Sequence, residues 1–108
     1  MQPTFLGKVT VASAGTPVPL STDPTLHACA ILVATIPGLT GNVYLGGAGL
    51  NQNTLANVMI KFNAPAVLGL PDHFFVRAAG AVNSMRVADY FIDASVAGEG
   101  ALVTYFQV

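Results

Sequence analysis

His27 and Cys29 are the residues whose types best suit nucleophilic catalysis, and they lie two positions apart in one apolar segment. In a β-strand two such residues share a face, with about 6.6 Å between them. A cysteine nucleophile needs its histidine base within hydrogen-bond reach and a third group that orients the base. The spacing is too long for that contact, and because Cys29 lies in the most apolar strand, where burial disfavours the thiolate, we predict a buried free thiol of low reactivity.

A metal site would need both histidines, His27 and His73, together with a carboxylate such as Asp72. Two histidines and one carboxylate can hold a metal ion. These residues do not have the spacing of a recognised metal-binding motif, however, and Pro71-Asp72 is ordinary turn chemistry. We therefore predict no bound metal and no other cofactor.

Asp89 and Asp93 are the candidates for paired carboxylates, because residues four apart share one face of a strand. Strand geometry separates them by roughly 13 Å. That distance exceeds the separation of the two carboxyl groups in retaining and inverting glycosidases. We expect both carboxylates on a solvated or partner-facing edge of a sheet instead.

The glycine-rich run Gly46-Gly47-Ala48-Gly49 is the remaining candidate, as a phosphate-binding loop. The segment Leu50-Asn51-Gln52-Asn53 that follows it contains neither the third glycine of a dinucleotide-binding loop nor the Gly-Lys-Ser/Thr of a P-loop. The run is therefore predicted to be a loop between strands. Since no set of nucleophile, base and oxyanion donors can be assembled, we predict that the protein is not an enzyme.

Short strands must position all of these residues, because eleven glycines and seven prolines separate runs rich in Val, Ile, Thr, Tyr and Phe. An edge piece is expected at Val18-Pro19-Leu20, since proline donates no ladder hydrogen bond. A short helix within residues 78–90 is the alternative, although Gly80 and Asn83 interrupt it. The other predicted strands cover residues 5–12, 27–36, 43–45, 58–62, 73–77, 89–93 and 101–108.

The length of 108 residues is enough for one domain. With seven or eight short antiparallel strands, the pattern predicts an all-β fold, a single β-sandwich of jelly-roll type over residues 1–108. We expect Gly98-Glu99-Gly100 to form a hairpin turn that joins strand 89–93 to strand 101–108.

The composition excludes several classes of protein. Charged residues make up 8% of the chain against roughly 25% in ordinary domains, and hydrophobic residues make up 53%, so disorder is excluded. The four basic residues are scattered singly, which argues against nucleic-acid binding.

The apolar run 28–36 is far shorter than the about 20 residues of a membrane span, and the first six residues lack the features of an export signal. A single cysteine fits a protein made in a reducing cytoplasm.

Three segments resemble small structural proteins of tailed bacteriophages. Lys8-Val9-Thr10-Val11 followed by Ala14-Gly15-Thr16-Pro17-Val18 is similar to the opening of many of them, where a first strand enters an Ala-Gly-Thr-Pro turn. Val43-Tyr44-Leu45-Gly46 resembles their Val-Tyr-Val-Gly segment. Tyr90-Phe91-Ile92-Asp93-Ala94, with Gly98-Glu99-Gly100 and a closing strand, is similar again. Residues 63–86 do not resemble any segment of the group.

The resemblance implies a virion protein with a β-sandwich or jelly-roll fold that decorates or cements the capsid. It would be made in the host cytoplasm and would bridge neighbouring subunits of the major capsid protein by adhesion, without catalytic residues. A tail- or fibre-associated virion protein of the same fold is one alternative. A carbohydrate-binding β-sandwich module is the other, although the chain has no Trp and only three Tyr for sugar stacking.

Self-association is expected independently, because strands that are apolar on both faces need partners on both, and soluble monomers rarely expose large apolar patches. In the last strand Leu102, Thr104, Phe106 and Val108 share one face, and Ala101, Val103 and Tyr105 share the other. One face would close the core and the other would meet a neighbouring copy of the protein. The candidate interface residues are Val103, Tyr105 and Phe91.

Overall fold

The computed structural model describes residues 2–64, 72–80 and 82–108. Met1, residues 65–71 and Ala81 lie outside this description, and with them the Pro71 half of the predicted Pro71-Asp72 turn. The described residues form ten strands and a single 3₁₀ turn, Val87–Asp89. The strands are β1 (Gln2–Thr10), β2 (Val18–Pro19), β3 (His27–Ala28), β4 (Ala30–Thr35), β5 (Val43–Gly46), β6 (Val58–Phe62), β7 (His73–Arg77), β8 (Met85–Arg86), β9 (Phe91–Ala94) and β10 (Gly100–Gln107).

All strand pairs are antiparallel, and they form two four-stranded sheets and one two-stranded sheet. Sheet A has the order β1-β10-β4-β7, and sheet B has the order β2-β9-β5-β6. Strands β3 and β8 form the small third sheet. The predicted all-β, antiparallel fold is confirmed.

One hydrophobic core takes side chains from both four-stranded sheets. Sheet A contributes every second residue of its central strands, including Ile31 and Val33 of β4 and Val103 of β10. Sheet B contributes Leu45 of β5 and Ile92 of β9 in the same alternating manner. The period of two in each strand therefore selects the buried set, as strand geometry requires.

Two departures from the predicted strands raise their number from eight to ten. The run 27–36 is interrupted at Cys29, whose N–H donates to the Phe106 carbonyl at 2.8 Å while its own carbonyl accepts from the Ala78 N–H at 2.8 Å. The residues before this break leave sheet A and pair with Met85–Arg86, a strand too short for the sequence pattern to indicate. Val18–Pro19 lies at the edge of sheet B, where the proline predicted it.

The predicted hairpin at Gly98-Glu99-Gly100 is wrong. Strand β9 pairs with β2 and β5 in sheet B, whereas β10 pairs with β1 and β4 in sheet A. The turn therefore crosses between sheets, and Val11 anchors it: its N–H donates to the Glu99 carbonyl and its carbonyl accepts from the Gly98 N–H, at 2.9 and 2.8 Å. Gly98 supplies the positive φ of 85° that this crossing requires.

Within the described part of the chain, no helix has the length and apolar character needed to span a bilayer.

Candidate interaction face

The side chains on the outward side of sheet A form three rows. Each of the four strands contributes one side chain to each row. The strand registers place directly opposed residues on the same face. The rows are Lys8, Leu102, Ala34 and His73; Phe5, Thr104, Leu32 and Phe75; and Pro3, Phe106, Ala30 and Arg77. We call these twelve residues the sheet-A face.

Apolar side chains occupy the centre of the sheet-A face, and several are exposed. Phe5 is 77% exposed, Leu102 45% and Phe75 39%. Phe75 packs edge to face on Phe106, with ring centroids 5.7 Å apart and planes at 62°. Exposed apolar side chains are common singly, but their clustering on one sheet face is typical of a contact surface.

The corners of the same face carry basic side chains. Lys8 lies at one corner, and His73 and Arg77 lie at the two ends of β7, which is the opposite border. None of the twelve residues is acidic. The only ion pair among the described residues, between Arg86 and Asp89 at 3.8 Å, lies elsewhere. The face thus has an apolar centre and a cationic border, an arrangement that resembles the apolar core and polar rim of protein interfaces.

Glu99 is a carboxylate that the Lys8 charge reaches, but hydrogen bonds within the chain hold it in place. Its oxygens accept from the Thr40 N–H at 3.0 Å, the Thr40 hydroxyl at 3.1 Å and the Gly41 N–H at 2.8 Å. Burial raises the pKa of Glu99, but these hydrogen bonds and the Lys8 charge outweigh it, so the pKa lies below the ordinary 4.5. Lys8 itself donates to the Gly98 carbonyl at 3.3 Å.

The outward side of sheet B contrasts with sheet A, because loops of the same chain cover the part formed by β9 and β5, although Met59 and Lys61 of β6 stay exposed. Asp93 is 0% exposed there and Tyr44 is 6% exposed. The Asp93 carboxylate accepts from the Gly15 N–H at 3.1 Å, from Gln52 Nε2 at 3.0 Å and from the Ala94 N–H at 2.8 Å. These two loops, one before β2 and one after β5, cover the part of the outer side of sheet B that β9 and β5 form.

The expectation that Asp89 and Asp93 share a solvated or partner-facing edge is therefore wrong for Asp93. Its carboxylate is buried because Gly15 and Gln52, remote in sequence, supply the donors that a buried charge requires. Asp89 belongs to the 3₁₀ turn rather than to β9 and is exposed beside Arg86. The two residues do not form a carboxylate pair on one strand.

The structure places the three predicted interface residues away from the bare face of sheet A. Val103 and Tyr105 face the core, with exposures of 1% and 9%, so the chain itself covers them. Phe91 is half-buried in β9, opposite Pro19 and Gly46. The outward set on β10 is the other one, with Leu102 exposed and Thr104 and Phe106 half-buried, and we move the candidate interface to that face.

Cys29 is buried and free, as predicted, at 4% exposure. His27 is exposed, and its Nδ1 donates to the Thr25 carbonyl at 2.9 Å. Among the described residues, no group of three or more His, Cys, Asp or Glu side chains is close enough to hold a metal ion. The Asp72 carboxylate accepts from the His73 N–H, at 2.8 Å.

The glycine-rich run is a loop between strands, and its first glycine has a packing reason. A Cβ atom on Gly46 would collide with the carbonyl of Asn57, the residue just before β6. The loop closes on itself, because the Asn51 side chain accepts from the N–H groups of Asn53 and Thr54 at 2.8 and 3.1 Å.

The β1 edge of sheet A carries three features that discourage strand addition. Pro3 lacks an N–H, a β-bulge shifts the register between Phe5 and Gly7, and Lys8 places a charge on the edge strand. Proline, bulges and lysine are the devices by which natural sheets protect their edges. The sheet-A face, rather than this edge, is therefore the candidate contact surface.

Sequence reasoning missed Phe5, Phe75 and Leu102 as surface residues, although one signal was present. In β7 the side chains of His73, Phe75 and Arg77 alternate with Phe74 and Val76, so the charged residues mark the outward face.

Comparison of the chain with models of known protein families, with curated proteins and with solved structures gives no match.

Proposed function

We propose that this protein is a virion structural protein of a tailed bacteriophage that decorates or cements the capsid shell. The observation that carries the proposal is the asymmetry of the two sheets: loops bury Asp93 and Tyr44 on the outer side of sheet B, whereas Phe5, Leu102 and Phe75 are exposed on the sheet-A face. The sequence segments that resemble phage structural proteins support the same function. They lie on β1, β5, β9 and the turn into β10.

In the proposed architecture the two four-stranded sheets form a single β-sandwich of jelly-roll type. The shared hydrophobic core of sheets A and B supports this arrangement. In such a domain the strand ladders order the backbone of the sheet face before binding, so the entropy cost of binding falls mainly on the side chains.

The proposed mechanism is adhesion between the sheet-A face and the major capsid protein, so that each copy bridges neighbouring capsid subunits. Complete burial of a Phe or Leu side chain contributes roughly 1.5–3 kcal/mol before entropy is counted. Most of that free energy is still to be gained when Phe5 meets a partner, because 77% of its surface is exposed in the isolated chain. Many weak contacts on one lattice would add up through multivalency.

Further parts of the proposal are that copies of the protein associate with one another, that the host cytoplasm is the site of synthesis, and that neither nucleic acid nor a membrane is a partner. Low charge supports self-association, because 8% charged residues leave little repulsion between copies. Sedimentation equilibrium at high micromolar concentration tests it: a monomer that makes only small wet contacts in its assembly would contradict this part.

Quantitative mass spectrometry of purified virions tests the function. A shell protein is expected in hundreds of copies per particle, together with the major capsid protein. A few copies per particle would instead indicate a tail or fibre protein, and absence from the particle would refute the proposal. Sugar binding would contradict the proposal too. It is not expected, because the exposed aromatic residues of the sheet-A face are phenylalanines, which lack the polar group of Tyr and Trp.

A further inference from the structure

We propose that the sheet-A face binds a protein surface whose apolar centre is bordered by carboxylates, and that it does not bind the same face of a second copy. The inference deepens the proposed function, on which it rests for the identity of the partner as a capsid subunit. It names the chemistry of the partner and the residues that recognise it.

The charge of the chain is divided unequally between this face and the rest of the protein. The face holds Lys8 and Arg77, a charge of +2 at neutral pH. The remaining charged residues are five acids and two bases, Lys61 and Arg86, a charge of −3. The two parts sum to the net charge of −1. A face that is basic on an acidic protein complements an acidic surface.

The border formed by β7 contributes most of this selectivity. Lys8 is near Glu99, whose charge offsets part of its own. At the opposite border Asp72 adjoins His73 and accepts from its N–H at 2.8 Å, but the part of the chain that the structure describes places no carboxylate within ion-pair distance of Arg77. Arginine suits this role because its planar guanidinium pairs with a carboxylate through two parallel hydrogen bonds.

A second copy is a poor occupant for the same face. Stacking two sheet-A faces about any two-fold axis brings no anion to a cation, since the twelve residues include no Asp or Glu. The free edge of β1 is also unsuited to pairing between copies, because of Pro3, the bulge and Lys8. Self-association, where it occurs, would use another surface.

The size of the face agrees with a contact that works in many copies. Four strands at about 4.8 Å and three rows at about 6.8 Å cover roughly 400 Å². A stable two-protein interface needs about 800 Å² on each partner. One face alone therefore falls short of a tight isolated complex, and a lattice of carboxylate-bordered sites would make up the difference.

The chemistry of the face can be tested with a small probe before the partner is isolated. Anilinonaphthalene sulfonate joins an apolar aromatic system to one anionic group, and phenylnaphthylamine is the same aromatic system without the charge. We expect Arg77→Glu to weaken binding of the sulfonate about tenfold, which is about 1.4 kcal/mol, and to leave the neutral probe nearly unchanged. Phe5→Ser should weaken both probes.

Matched controls lie on sheet B. Lys61→Glu reverses the charge of an exposed side chain on β6. Met59→Ser removes an apolar side chain on the same strand that is 46% exposed. Both should leave probe binding within twofold of the unmodified chain. Circular dichroism melts confirm that all four variants fold. Equal effects of Arg77→Glu and Lys61→Glu would refute the inference.

A second arm uses capsid shells that lack this protein, titrated with the same variants at several salt concentrations. We expect Arg77→Glu to reduce binding and its salt dependence, and Lys61→Glu to change neither. Variants that bind shells as the unmodified chain does would overturn the inference while leaving the proposed function intact. Absence of the protein from virions would refute the function but not the probe result. A change of oligomeric state with Phe5→Ser would also overturn the inference, because it would show a contact between copies.

Discussion

Phe75 and Phe106 pack edge to face on the outer side of sheet A, although they belong to strands that are not neighbours. Strand β4 lies between them, and its Leu32 and Ala30 are opposite the two aromatic residues in register. The rings therefore meet across β4, and the pair forms within the chain itself, without a partner. An aromatic pair of this kind contributes about 0.5–1.5 kcal/mol beyond area burial.

Replacement of Phe75 is expected to separate stability from binding. Phe75→Ala should lower the free energy of unfolding by only about 1 kcal/mol, because the ring is 39% exposed, and should abolish most shell or probe binding. Phe74→Ala is the matched control, since Phe74 packs on the core from the inward face of the same strand. It should cost about 3 kcal/mol in urea unfolding. Equal stability losses for the two would contradict the assignment of faces.

Asp93 is expected to be the more important of the two carboxylates near β9. Asp93→Ala leaves the Gly15 N–H without its acceptor in a buried site and takes one of its two acceptors from Gln52 Nε2, which keeps the Ala94 carbonyl, and should cost about 3 kcal/mol. Asp89→Ala removes only an exposed pair with Arg86 and should change stability by less than about 0.5 kcal/mol. Chemical denaturation of both variants measures the difference. A similar loss in both would show that the loops do not depend on Asp93.

Glu99 is expected to make stability fall in acid. Its pKa is lower in the folded chain than the ordinary 4.5, so the ionised form stabilises the fold above that pH, and this stabilisation is lost as the pH falls through the folded pKa. Glu99→Gln should therefore lower the melting temperature at pH 7 and have a much smaller effect below the folded pKa. Melting curves of both proteins over pH 2–7 measure this difference. A difference that does not depend on pH would contradict it.

The last strand is expected to be essential for folding. Strand β10 lies between β1 and β4, and deletion of residues 103–108 removes the centre of sheet A together with the buried Val103 and Tyr105. Deletion of residues 2–5 is the control, because these residues are exposed on the edge strand. The first variant should lose its cooperative melt and the second should keep it. A soluble C-terminal truncation that melts near the parent temperature would refute this expectation.

Cys29 is expected to have a packing role only. Its thiol is 4% exposed, so it should react with a thiol reagent only after unfolding. Cys29→Ala should leave shell binding unchanged, and Cys29→Ser should cost more stability by burying a hydroxyl. Rapid modification of the native protein, or loss of binding in folded Cys29→Ala, would contradict this role.

Local pattern was enough to predict several elements. The bounds of β6 and β7 agree with the prediction because alternating Val, Ile and Phe between turn residues define a strand without reference to the rest of the chain. The proline in Val18–Pro19 likewise indicated an edge strand. The all-β class follows from the same short-range information.

What the sequence by itself determined was which side chains of β10 share a face: Val103 with Tyr105, and Leu102 with Phe106. Only the tertiary structure decided which set is inside, because both sets are apolar and alternation alone does not distinguish them. The same limit explains the wrong hairpin, since Gly98-Glu99-Gly100 permits a turn but the partners of β10 are β1 and β4, far away in the chain. The burial of Asp93 also depends on residues that are remote in sequence. Its donors Gly15 and Gln52 lie in loops 78 and 41 residues away, and hydrogen bonds over such separations depend on how the sheets pack.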